Sequence, residues 1–253
     1  MLRHRSVLFL IAVLLGAGGA AVGLARPGHA ARAQRQQSVP STPERLAAMR
    51  HHFVQVTLIH EAIIRGDRPA ISGPAWELAR MPMPPGTPPL TAPFVARIGS
   101  AAARAAGAPD LASAAAATTE MLLQCGECHR AAGILPAPST TKRPEVGGIV
   151  GHMLEHQRAV DELLQGLVVP SLSQWRQGVE RLKVAPLKPG DYPPDRALTN
   201  DLKRADARVH QIADRAARAA DAPSRAAVYA DLLTTCAQCH GLHRRIWGPG
   251  RGL

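Results

Sequence analysis

Two short runs hold all four cysteines of the 253-residue chain: Cys125-Gly-Glu-Cys128-His129 and Cys236-Ala-Gln-Cys239-His240. Residues at i, i+3 and i+4 of a helix share a face, so each run presents two thiols and an imidazole to one side. C-x-x-C-H is the attachment signature of c-type haem, with two thioethers to the haem vinyls and the imidazole on iron. Three other chemistries use paired cysteines: a four-cysteine zinc site, disulfides and a thioredoxin-like redox pair. Zinc leaves both histidines without a role, and a redox pair expects a βαβ pattern that this sequence lacks. The spacing therefore predicts two covalently attached haem c groups. Cys125, Cys128, Cys236 and Cys239 carry the thioethers, and His129 and His240 are iron ligands.

The elements that must position these runs are repeated. The motifs lie 111 residues apart, Leu122 matches Leu233, and Ala105-Ala-Gly-Ala-Pro109 resembles Ala219-Ala-Asp-Ala-Pro223. Nearer the front of each half the offset is 100, pairing His52 with His152, Glu61 with Asp161 and Gly66 with Gly166, and Trp76 then matches Trp175. Proline-rich connectors, 81–93 and 186–194, absorb the change of offset. Two homologous domains are expected at 40–132 and 148–247, with a linker at 133–147. Each half has apolar spacing for four helices, predicted at 43–65, 70–80, 92–107 and 110–131, then at 147–167, 171–184, 196–220 and 223–244. Leu46, Met49, Phe53, Val56 and Ile63 mark the inner face of the first helix; Ile149, Met153, His156, Val160, Leu163 and Leu167 mark that of the fifth. Gly66 and Gly166 read as helix ends ahead of Pro69 and Pro170. Trp76 and Trp175 read as core anchors of the second helix in each half. The fold class is all-α, two tandem four-helix bundles. Only 3% of residues are aromatic, and alanine runs favour helix over sheet.

The N-terminus has Arg3 and Arg5 ahead of an apolar run from Val7 to about Ala25, then Ala31-Arg32-Ala33. This is a secretory signal pattern, with 1–33 removed and a periplasmic or exported product. Retention of the run as a membrane anchor is the alternative. Cleavage would remove four arginines and no acid, taking the formal charge from +11 to +7. The cations are scattered through helical segments rather than interleaved with aromatics, so nucleic acid is not an expected partner. An acidic redox partner protein or an anionic membrane surface suits the charge.

Each motif closes the last helix of its half. In that placement each half resembles the class II c-type cytochromes, the cytochrome c prime family, and the whole chain resembles a tandem di-haem cytochrome built of such units. The resemblance implies four-helix bundles whose distal iron face looks at a residue of the first helix. His52 and His152 occupy matched positions there, each 14 residues before its glycine, and are the expected distal ligands. Met49 and Met153 are the alternatives, though they do not align with each other. His60 aligns with Val160, and His156 with Val56.

With both axial positions filled by protein, the expected function is electron transfer by Fe(II)/Fe(III) cycling between redox partners, not catalysis. A distal face that is apolar or loosely held implies gas binding or sensing instead. Peroxidase-type chemistry would need an openable iron with a nearby acid or base, for which Glu61 and Glu155 are nominal candidates. Arg65, Arg68, Arg181 and Lys183 are available to neutralise propionates. If the net positive charge steers an acidic partner, the association rate should fall as salt rises past the point where the Debye length is about 10 Å. Stopped-flow reduction by an acidic donor across a salt series measures this, and a flat rate would leave the cations as solubility devices.

Overall fold

Helix starts are written into the sequence. Thr42 accepts a hydrogen bond from Arg45 N (3.2 Å) and Pro43 takes the first turn of α1, Pro43–Ile64. Asp110 accepts from Ser113 N (2.7 Å) at the head of α4, Leu111–Ala131, and Ser171 accepts from Gln174 N (3.3 Å) at the head of α6, Leu172–Leu182. The computed structural model describes residues 42–84, 86–134, 147–183, 187–192 and 196–247, with backbone only for 196–198 and 243–247. The remaining helices are α2 (Pro69–Arg80), α3 (Ala92–Ala106), α5 (Gly148–Val168), α7 (Arg196–Arg218) and α8 (Ala222–Trp247), with 3-10 turns at Pro89–Thr91 and Pro189–Asp191. The chain is all-α, with no strand among the described residues. All eight helices lie within three residues of their expected bounds. No described helix is long and apolar enough to cross a membrane. The N-terminal apolar run and its cleavage site lie outside the described residues, as does most of the linker.

The described residues form one compact unit. One apolar core runs through it, from Ile59, Ile63 and Ile71 through Met121 and Leu122 to Leu163, Trp175, Leu232 and Leu233. Consecutive helices pack against one another within each half. Contacts also cross between the halves: α4 lies against α8 and α5, and α1 touches α8. Tyr229 marks this crossing. Its Oη donates to Val160 O of α5 (3.0 Å) and receives His60 Nε2–H of α1 (2.7 Å). It therefore touches the two positions, 60 and 160, that the repeat pairs with each other.

Three expectations change. Phe53 and Leu46 are 48% and 43% exposed, because the buried face of α1 runs instead through Val56, Ile59, His60 and Ile63. Trp76 is no anchor: it is 41% exposed, stepped off the buried Ile71-Ala75-Leu78 face, with the Arg80 guanidinium 5.3 Å from its ring. Trp175 keeps the expected role, fully buried with Nε1 donating to Ala216 O at 3.0 Å. Gly66 does end α1, at φ +65°. Gly166, however, lies inside α5, and a Cβ there would sit 2.8 Å from Trp175 N. It is glycine because the second tryptophan's backbone presses against it.

Gly126, between the first two cysteines, is tighter still: a Cβ would stand 2.3 Å from Leu167 O. Gly126→Ala should push α4 off α5 and cost about 1–3 kcal/mol. Gly241→Ala, in α8 with no atom outside its chain neighbours and its own helix backbone within 4 Å of the added carbon, should stabilise by about 0.5–1 kcal/mol. Urea unfolding of both variants measures the contrast.

Candidate functional site

On α4 the first motif occupies the last two turns. Cys125 and Cys128 are partly buried, and both thiols are free. Burial, aided by Cys128, pushes the Cys125 thiol up to about 12. Burial also raises Cys128, against an opposing hydrogen bond from Thr91. His129 reaches across to the other half, its Nδ1 lying 2.8 Å from Val168 O at the end of α5. A carbonyl only accepts, so Nδ1 carries the proton and Nε2 keeps its lone pair. This bond also satisfies one of the carbonyls that a helix C-terminus leaves open. Burial holds the His129 pKa below its ordinary value, with the Val168 bond pulling the other way.

The second motif lies on α8, which runs on beyond His240 to Trp247. Burial and Cys239 push the Cys236 thiol up to about 12; burial and the Asp206 charge push Cys239 up to about 11. Thiolates, not thiols, are redox nucleophiles, so neither pair has the environment of a reactive dithiol. The cysteines do not converge as a ligand set either. Among the described residues the one group able to hold a metal ion is His152, His156 and Asp206, whose donor atoms lie within 4.8 Å of one another.

That group lies beside the second motif, since His156 responds to the charge of His240 and Cys239 to that of Asp206. His152, one of the expected distal ligands, is buried and donates through Nε2 to Asp206 Oδ1 at 3.2 Å. Asp206 Oδ2 accepts from Leu187 N and Tyr192 Oη, each at 3.2 Å. Burial works against the Asp206 charge, but His152, Leu187 and His210 outweigh it and hold the carboxyl below its ordinary range. Burial and then Asp206 push Tyr192 up to about 12. The His156 ring lies 4.2 Å from that of His152 and 6.4 Å from that of His210. Its Nε2 is buried and has no hydrogen-bond partner. Burial, then the neighbouring His152, pushes its pKa down to about 3.

The first half is arranged differently. His52 is half-buried on α1, its pKa lowered by burial and by His51. Among the described residues no hydrogen bond or ring contact joins it to the first motif. Phe53, Val54 and Leu58 beside it remain 48%, 51% and 42% exposed. Met49 and Met153 are partly buried and stay alternatives. His60 is committed to Tyr229, with its ring stacked 5.9 Å away. Of the nominal acid/base residues, Glu61 faces Arg65 and Glu155 binds Arg158 and Arg181. Arg181 is further held by Glu162 (2.7 Å) and Lys183 by Glu180 (2.8 Å), so neither is idle.

Sequence inspection missed Asp206, His210 and Tyr192, which belong to no repeated pattern. The spacing of Asp206 and His210, one turn apart on α7, was the available sign.

His60 is buried without a charge partner, and burial lowers its pKa to about 4. Its unfolded value is the ordinary one, near 6.5. Below pH 6.5 the unfolded chain therefore binds the proton that the folded chain refuses. The stability His60 contributes is present above that pH and is lost as pH falls toward 4, at up to about 1.4 kcal/mol per pH unit. Denaturant titrations of wild type and His60→Gln across that window should show a shallower fall in the variant, despite its lower stability at pH 7.

No protein-family model matches the chain, and no curated protein or solved structure matches it either.

Proposed function

We propose that the chain is an exported di-haem c-type cytochrome, built as two tandem four-helix bundles, that carries electrons between redox partner proteins. The observation that carries this is the motif on α4: two partly buried thiols and an imidazole share one helix face, and the imidazole's Nδ1–H is fixed on Val168 O so that Nε2 is left as the donor. Orientation of a ligating histidine through its other nitrogen is the usual support of a metal–imidazole bond. The same residue types recur on α8, and the second half adds a buried, unpartnered imidazole nitrogen, His156 Nε2, whose charge interacts with that of His240.

The residues present fit the group. Cys125 and Cys128 would hold one haem and Cys236 and Cys239 the other, with His129 and His240 as proximal ligands. His52 and a histidine of α5 would serve the opposite faces. When bound, the group supplies one-electron Fe(II)/Fe(III) chemistry. The chain's part is to fix the imidazoles, keep water from the buried faces and set the local charge. Exposed Phe53, Val54 and Leu58 beside His52 offer apolar surface of the kind a porphyrin covers.

One observation favours a second function, gas-ligand binding at the first site. His52 is only half-buried and has no described hydrogen bond to hold it, whereas His152 is buried and bonded. Catalysis gains no such support, because Glu61 and Glu155 are occupied by arginines. An exported location and an acidic partner remain part of the proposal, resting on the leader pattern and the positive charge.

Expression with a haem-attachment system should give a protein carrying two haem masses, whose colour survives acid–acetone extraction. Cys236→Ala/Cys239→Ala should lose one haem and keep the other. A low-spin spectrum with little carbon monoxide binding supports the carrier, and carbon monoxide binding at one haem supports the gas ligand. Stoichiometric zinc with no Soret band would refute the haem assignment.

A further inference from the structure

Resting on the haem assignment above, we infer that the second haem takes its distal ligand from His156 rather than His152, so that the two halves ligate iron from non-equivalent turns of their first helices. The two histidines stand one turn apart on α5, and the structure gives them opposite duties. His152 spends Nε2 on Asp206 Oδ1 at 3.2 Å. Asp206 is itself locked, its other oxygen held by Leu187 N and Tyr192 Oη at 3.2 Å each. Turning His152 toward iron would remove a donor from a buried carboxylate.

His156 spends nothing. Its Nε2 is sealed from solvent without a hydrogen-bond partner, the state of a nitrogen that awaits a bond from outside the protein. The ring is walled by His152 at 4.2 Å and lies close enough to His240 for their charges to interact. His152 is therefore committed to Asp206, and its ring lies beside that of His156 without bonding it. His210 also has a buried, unbonded Nε2. That nitrogen faces Asp206 Oδ1 at 3.7 Å, and its ring is 6.4 Å from His156. The first half cannot copy the arrangement, because the position matching His156 is Val56, which is buried in the core. His52 is left to serve there.

The test uses the full-length protein with both haems attached, read by electron paramagnetic resonance and optical spectra. His156→Ala should turn one of the two haems high-spin and open it to carbon monoxide, and added imidazole should restore the low-spin signal. His152→Ala and His210→Ala should each keep both haems low-spin. Should His156→Ala fold poorly, His156→Met supplies an alternative axial donor and should bring a methionine–iron absorption to one haem only. A high-spin haem in His152→Ala or His210→Ala overturns the assignment. So do low-spin spectra from both His156 variants with no methionine–iron band, or a second haem already five-coordinate in the wild type. Failure of the underlying haem assignment is distinct: the wild type would then carry no covalent haem by mass.

Discussion

Packing of α4 against α8 is the contact on which the rest of the molecule depends. Both helices are buried along their middle turns, through Met121 and Leu122 in one and Tyr229, Leu232 and Leu233 in the other. In each, the motif follows directly on the buried turns. With the apolar turns committed to the shared core, the helical period decides where the cysteines and histidine of the next two turns must emerge. The approach also needs small residues. Gly126 lets α4 lie against the last turn of α5, and Gly166 lets α6 close on the same helix. The chemistry of each motif is thus set by a packing decision made one or two turns earlier.

The halves share a frame but not an environment. Around α5 the polar side chains form a buried network: Asp206 gathers His152, Tyr192 and the Leu187 amide, and His156 is enclosed beside it. Low local dielectric strengthens such bonds and makes an unpaired member costly. Around α1 the corresponding surface is apolar and open, with Phe53, Val54 and Leu58 outside the core. Two copies of one prosthetic group placed in these surroundings would differ in solvent access and in nearby charge, both of which tune potential. If the chain carries electrons as proposed, divergent linings suit a relay better than a pair of identical stores.

Much of the fold was legible because local signals agreed. Caps at Thr42, Asp110 and Ser171, prolines at helix starts and the proline-rich connectors all spoke to boundaries, and the helices obey them. What failed was the choice of face. Leu46 and Phe53 fit the apolar period of α1 as well as Ile59 does, and only the neighbours decide which stripe is covered. Gly166 carried a helix-end signature, but the nearness of Trp175 is a tertiary fact. The site divides along the same line. Cys125, Cys128 and His129 are adjacent in sequence, so helix geometry alone brings them together. Asp206 meets His152 across 54 residues, and a repeat comparison could not find it because the first half has no such pair. Repeat equivalence selected His152 over His156; burial and bonding distinguish the two in the other direction.

The contacts that cross between the halves bear on why the duplicate stays one chain. His129 belongs to the first motif, yet its tautomer is set by Val168 of the second half. His60 of the first half is buried against Tyr229 of the second, and that same hydroxyl reaches Val160. A first half alone would expose the apolar face of α4 that now meets α8. It would also free the His129 ring to rotate and take from His60 the Tyr229 hydroxyl it bonds and the ring it stacks on. Each loss falls on a group that a metal-binding imidazole or its support requires. The crossing interface packs two similar sequences into one body.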